Sequence, residues 1–291
     1  MTSRARPKRV GDFTLTWGES VRWDDRRERL YFVDCATRCL HWLDDGAPPL
    51  QTMPMPSLPT GVVLTAGDEI VVCLKDGLHV VDPDAGTHEL LASYPPGMHG
   101  RANDANADGA GNLVTGTLNL GPGTGALWWF SAAQGWRLLD GDFGNTNGPA
   151  VIGEGDRRTL VCGDTVASKV YAYPFDAARG TVGARRVLAD YASLFGGAPD
   201  GATVDAGGGV WSCVLRSGKL ARLTDGELDR TIDVPVQNPS DLAFGGRDLR
   251  RLFMTAIAVD LCDGRPAEEA SWLVSFDDVG VAGRPEPRFR M

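Results

Sequence analysis

The 291-residue chain has no apolar run approaching the ~20 residues that cross a bilayer. Helical periodicity is nearly absent, and Lys and Arg are outnumbered, leaving a formal net charge of -9. These absences argue against a membrane-spanning helix, a helical bundle and the basic footprint on which nucleic-acid affinity depends. No G-x-S-x-G nucleophile elbow occurs. Cys35 and Cys39 are spaced C-x3-C, but no second Cys pair or His cluster completes a zinc site, and His41, His79, His88 and His99 lack partner spacing. Cys73, Cys162, Cys213 and Cys262 mostly sit in apolar runs, so reduced structural thiols are expected. The opening Met-Thr-Ser-Arg-Ala-Arg has charge without a following apolar segment; no secretory signal is read there, and a cytoplasmic protein is expected.

What the chain does have is punctuation. Gly 37 and Pro 18 interrupt short apolar runs from end to end, which favours many short strands and an all-β class. The stretch from Pro199 to Val214 sets a template: a polar residue, a short run, an Asp-Gly turn and a second run. Aligned on its first polar residue, the template recurs at Glu19, Thr60, Asn103, Asn147, Asp200 and Ser240, at spacings of roughly 40 to 53 residues, the period of a propeller blade. Six repeats predict a six-bladed β-propeller over residues 11–291 as a single domain, with residues 1–10, including the cluster Arg4 to Arg9, as a disordered tail. The run near Phe13 to Trp17 is expected to complete the last blade and remove an exposed edge.

All six register positions carry side-chain oxygens. In a propeller the innermost strands run beside the central channel, so these oxygens either converge on a hard or borderline divalent cation such as Ca, Mg or Mn, or are simply residues favoured at turns and strand starts. Glu19 favours the cation, because Glu is not a turn former. Asp24, Asp108 and Asp205, five residues further on, fall in Asp-Gly turns and read as structural. Arg101 either orients a polar, hydroxyl-rich or anionic substrate or pairs with a neighbouring surface Asp.

The words Gly18-Glu19-Ser20-Val21-Arg22-Trp23-Asp24, Arg101-Ala102-Asn103-Asp104, Thr146-Asn147-Gly148-Pro149, and Pro199-Asp200-Gly201 through Trp211 occur in order. Ala243-Phe244-Gly245-Gly246 with Leu252-Phe253-Met254-Thr255 follows them. Together they resemble the SMP-30/gluconolactonase (regucalcin-like) family of six-bladed propellers. The resemblance implies one divalent ion, calcium foremost with Mg, Mn, Zn or Fe(II) as alternatives, held in a central-channel metal site by Glu19, Asn147 and Asp200. It implies that Arg101 and Asn103 contact substrate and that Asp200 doubles as catalytic general base. The implied activity is lactonase action on an aldonolactone of gluconolactone or xylonolactone type, by a monomer or weak homo-oligomer with no nucleic-acid or membrane partner. A phosphotriesterase or aryl esterase on the same scaffold, or a non-catalytic metal-binding propeller, are the alternatives. Ser20 departs from the Gly usual after the Glu, Asn238-Pro239-Ser240 replaces Pro-Thr-Ser, and the loop after Val214 is short. The loop Asn119 to Gly125 lacks an acidic residue that some members place near substrate.

Overall fold

The computed structural model describes residues 6–119, 123–155, 157–258 and 271–291. Cys262, the start of the expected tail and the centre of the Asn119 to Gly125 loop lie outside the described residues. The first strands are β1 (Pro7–Arg9), β2 (Gly18–Asp24), β3 (Arg29–Asp34), β4 (Cys39–Asp44) and β5 (Gln51–Pro54). Next come β6 (Gly61–Leu64), β7 (Ile70–Cys73), β8 (Gly77–Asp82) and β9 (Thr87–Ser93). These are followed by β10 (Arg101–Ala107), β11 (Leu113–Leu118), β12 (Gly125–Ser131) and β13 (Gly135–Phe143). The fourth group is β14 (Thr146–Ile152), β15 (Arg158–Asp164), β16 (Lys169–Asp176), β17 (Thr181–Val182) and β18 (Arg186–Asp190), and it leads into helix α1 (Tyr191–Phe195). The last strands are β19 (Ala198–Val204), β20 (Val210–Leu215), β21 (Lys219–Thr224), β22 (Glu227–Asp233), β23 (Pro239–Gly245), β24 (Arg251–Ala256) and β25 (Val274–Phe276).

Sequential strands pair into six antiparallel sheets, the six blades of the all-β propeller class expected from the repeat. Burial falls across each blade. First strands such as β19 and β23 are buried at every position, whereas fourth strands such as β9 and β22 are largely exposed. A first strand therefore carries only small, apolar or hydrogen-bonded polar side chains, such as Asp104 and Asp241, while a fourth strand is mostly polar and carries little pattern.

The chain packs as two compact units, one of Met1–Pro59 with Asp200–Glu286 and one of Thr60–Pro199 with Pro287–Met291. In the first unit, Val21, Trp23, Leu30, Phe32, Leu43 and Phe253 form one apolar cluster, and Trp211, Leu220, Leu242, Phe244, Met254 and Phe276 form another. The second unit is built likewise around Val71, Leu78, Leu113 and Phe130, and around Leu127, Trp129, Leu160 and Tyr173.

One expectation needs correcting in the first unit. Its last blade is completed by Pro7–Arg9, which pairs with Phe276 to Val274, so these residues are a strand and not part of a free tail. Among the described residues, Phe13 to Trp17 contribute isolated bridges, Leu15 to Ser271 and Trp17 to Ile257, and the Thr16 carbonyl accepts from the Ala258 N–H. The reason is chemical: β1 is exposed throughout, and Pro, Lys and Arg suit an outermost strand whose free edge must not recruit another chain.

Candidate functional site

Each register residue lies at or just before the start of a blade's first strand, and in four blades a β-bulge follows at once. Glu19 pairs with Val33 but Arg22 with Tyr31; Asn147 pairs with Gly163 but Ala150 with Val161. The same one-residue slip separates Ala102 from Ala105 and Pro239 from Leu242. A bulge re-aims the side chains beside it, so the recurrence gives Glu19, Asn103, Asn147 and Ser240 a common local geometry.

In the second unit the structure brings Arg101, Asn103 and Asn147 into one hydrogen-bonded chain. Arg101 Nη1 donates to Asn103 Oδ1 at 2.7 Å, and Asn103 Nδ2 donates to Asn147 Oδ1 at 2.5 Å. Asn103 Nδ2 also reaches Asn145 Oδ1 and the Thr146 carbonyl. Asn147, only 4% exposed, donates from Nδ2 to Thr165 Oγ1 at 2.7 Å, and Thr165 donates to the Pro199 carbonyl at 2.9 Å. Thr60, in the same unit, has a buried hydroxyl with no hydrogen bond among the described residues.

In the first unit, Glu19 is half-buried and its Oε1 accepts from the Trp17 indole at 3.0 Å. Asp200 is 4% exposed. A carboxylate so enclosed is stable as the anion only against donors or a cation. Ser240 corrects the expectation of six equivalent oxygens: its hydroxyl donates to the Gly18 carbonyl and lies 3.0 Å from Thr255 Oγ1, tying β23 to β2. The neighbouring Asp241 is wholly buried against Arg22 at 2.6 Å. A Cβ on Gly201 would lie 2.2 Å from Asp241 Oδ1, so the residue after Asp200 must be glycine for the strand to approach this pair.

Two aspartates not singled out in the sequence hold the approach to Glu19 and Asn147. Asp34 accepts the backbone N–H groups of Thr16, Trp17, Ala36 and Thr37. Asp164 repeats the pattern with Gly144, Asn145, Val166 and Ala167. Sequence reasoning also missed Trp17, Asn145 and Thr165, which touch candidate residues from outside the register. Asp34 and Asp164 share a place in the strand pairing, opposite Gly18 and Thr146, but they stand 15 and 17 residues after Glu19 and Asn147, so no fixed spacing marks them in the sequence.

The oxygen donors of Glu19, Asn147 and Asp200 are the type that suits a hard divalent cation, and the orphaned Thr60 hydroxyl is a further oxygen at a register position. Among the described residues no three His, Cys, Asp or Glu side chains cluster as a metal site, so a set built on two carboxylates depends on its amide. Cys162 Sγ sits 3.6 Å from the Asn147 carbonyl, and burial, aided by Asp164, pushes its thiol far up, which keeps it protonated and unreactive. The described cysteines are reduced thiols.

Asp24, Asp108 and Asp205 take the turn roles read from sequence. Asp205 Oδ1 accepts from the backbone of Gly207 and Gly209, while Oδ2 accepts from the Trp211 indole and Arg222. Asp108 repeats this with Ala110, Asn112 and the Trp129 indole, and Asp24 caps Arg26 and Arg27.

Residues 17–258 match the profile of the SMP-30/Gluconolactonase/LRE-like region. The chain is 33% identical to the 6-deoxy-6-sulfogluconolactonase of Pseudomonas putida, over 94% of each chain. It is 31% identical to the pentonolactonase XacC of Haloferax volcanii, over 96% of this chain and 97% of that one. Among solved structures, the regucalcin of Agrobacterium tumefaciens, described as a calcium-binding protein, superposes with a TM-score of 0.87 over 99% of this chain and 98% of that one, at 23% identity. That likeness shows the fold.

Proposed function

The chain belongs to the SMP-30/gluconolactonase/LRE-like family, and from that premise we propose that it is a lactonase hydrolysing a sugar-acid lactone of aldonolactone type to the open-chain acid. The observation that carries the reading is the continuous contact from Arg101 through Asn103 to Asn147, which joins the two residues proposed for substrate to one proposed for the metal. Glu19, Asn147 and Asp200 would hold a divalent ion, calcium foremost. Such an ion, when bound, supplies Lewis-acid polarisation of the lactone carbonyl.

The chain's own residues supply the rest. Asp200, as general base, takes a proton from the attacking water, whose oxygen bonds to the carbonyl carbon. The bond from that carbon to the ring oxygen breaks, and the ring oxygen leaves with a proton as a hydroxyl. Arg101 and Asn103 orient the substrate, the Arg101 guanidinium as a donor to hydroxyl or carbonyl oxygens. Their mutual bond fixes both in place, so little ordering remains when substrate arrives.

The test is pH-stat hydrolysis of a panel of aldonolactones by metal-stripped protein reconstituted with Ca2+, Mg2+, Mn2+, Zn2+ or Fe2+, with spontaneous hydrolysis subtracted. The expected result is metal-dependent turnover that Asp200→Asn abolishes with the fold retained. Full activity in Asp200→Asn would overturn the assignment of the base.

A further inference from the structure

We propose that Thr165 is a positioning residue that fixes the amide of Asn147 so that its oxygen, and not its nitrogen, is presented to a cation. The inference rests on the reading of Asn147 as a metal ligand. An asparagine amide is nearly symmetric in shape, with an oxygen at one end and a nitrogen at the other, and only the oxygen can ligate a hard cation. Glu19 and Asp200 present oxygens at both ends and have no such ambiguity.

The contacts remove the ambiguity from both directions. A guanidinium only donates, so Arg101 requires that Asn103 turn its oxygen toward it; Asn103 Nδ2 then faces Asn147 and requires an oxygen there. At the other end the Pro199 carbonyl only accepts, so the Thr165 hydroxyl must donate to it and is left as an acceptor for Asn147 Nδ2. A flipped Asn147 would face Asn103 nitrogen to nitrogen and ask Thr165 to donate twice from one proton.

The chain contains an internal comparison. Cys35 holds the same place relative to Glu19 that Thr165 holds relative to Asn147. Its backbone N–H bonds the Trp17 carbonyl at 2.9 Å, as that of Thr165 bonds the Asn145 carbonyl at 2.9 Å. Its thiol donates to the Pro59 carbonyl at 3.0 Å, as the Thr165 hydroxyl donates to Pro199. Pro59 precedes the register residue Thr60, and Pro199 precedes Asp200. The structural bond is therefore common to both places and tolerates a thiol. A hydroxyl, which donates and accepts well, stands where the register residue is an amide needing orientation; a thiol, a weak acceptor, stands where it is a carboxylate.

The experiment measures dissociation constants for Ca2+ alone and Mn2+ alone by calorimetry, on folded protein verified by circular dichroism. Thr165→Val is expected to weaken binding by about 10-fold or more, the scale typical of lost outer contacts to a ligand, while Thr165→Ser stays within about 3-fold. In the Asn147→Asp background, where no amide remains to orient, the effect of Thr165→Val should shrink to less than about 3-fold; a purely structural role would persist there. If Thr165→Val does not fold, Thr165→Cys carries the comparison, since it keeps donation to Pro199 and loses the good acceptor. If Asn147→Ala weakens binding while Thr165→Val and Thr165→Cys do not, or if the Asp background leaves their effect unchanged, the inference is overturned and the ligand reading stands. If wild type binds neither ion, or Asn147→Ala binds like wild type, the ligand reading falls and the inference with it.

Discussion

Asp200 and Asp205 are five residues apart and both buried, yet they answer to different physics. Every acceptor position on Asp205 described above is filled by a donor from its own turn, from Trp211 or from Arg222, which leaves it a structural group. Burial works against its ionisation, but Arg222, the Trp211 indole and the Gly209 N–H outweigh that cost and hold its carboxyl below the usual carboxylate range. Asp205→Asn keeps the oxygen facing the turn but turns an amide N–H2 on Arg222 and Trp211, setting donor against donor. The expected loss is about 2 kcal/mol, because Arg222 retains Asp229 as a second partner. A group with a depressed folded pKa stabilises fully above its unfolded value of about 3.9 and loses that contribution as pH falls through the folded value. Denaturant titrations should thus show the gap between wild type and Asp205→Asn at full size at neutral pH and shrinking below about pH 4. A gap independent of pH would mean that the ion pair is not its source. Lactone turnover by Asp205→Asn should match wild type at temperatures where both are folded.

At the scale of the strand, the first strand of each blade is where stability and the candidate site compete for the same few residues. Gly201 is the sharpest case. Its neighbour Asp241 is held by the Leu242 N–H and by Arg22, so it cannot retreat from an added methyl group. Gly201→Ala is expected to cost about 3 kcal/mol or more in chemical denaturation, through overpacking and disturbance of a buried ion pair. A loss under about 1 kcal/mol would show that β19 can shift away from Asp241. Second strands such as Arg29–Asp34 and Val210–Leu215 were legible in the sequence because their burial forces apolar runs after polar turns, and first strands through the side-chain oxygen that opens each repeat. Fourth strands such as Thr87–Ser93 and Glu227–Asp233 were not, because their exposed residues follow no alternation. Pro7–Arg9 was hidden for the same reason, since a charged edge strand looks like a solvated tail. The register oxygens were legible as a period, whereas Thr165, Trp17, Asp34 and Asp164 were not. Asp34 and Asp164 act on backbone groups from unequal distances along the chain, Thr165 through an amide's orientation and Trp17 through its indole, so none of them marks a fixed spacing.

Across the whole chain, the local contacts repeat every third blade. Glu19 and Asn147 each lie two residues after a segment held by a four-donor aspartate, and the residues after them, Ser20 and Gly148, both take positive φ, at 51° and 55°. Pro59-Thr60-Gly61 answers to Pro199-Asp200-Gly201. Asp104 and Asp241 each close their own bulge and reach a neighbouring strand, Asp104 accepting from the Gly148 N–H and Asp241 from Arg22. Each compact unit is thus a variation on one three-blade half. The register carboxylates, Glu19 and Asp200, both belong to the first unit, and the amides Asn103 and Asn147 both belong to the second. A cation bound by the folded chain must appear in its stability. A ligand that binds only the folded state at 100 times its dissociation constant adds about 2.7 kcal/mol, which for a chain of this length raises Tm by roughly 5 °C. Thermal melts of metal-stripped protein with and without saturating Ca2+ should show that shift in wild type. Asp200→Asn and Glu19→Gln should melt near the wild-type apo temperature and gain little. Asp205→Asn should start lower and gain as much as wild type, because its defect lies in the fold and leaves the ligands untouched. Equal gains in Asp200→Asn and Asp205→Asn would show that the two aspartates had been assigned the wrong way or that neither holds the ion.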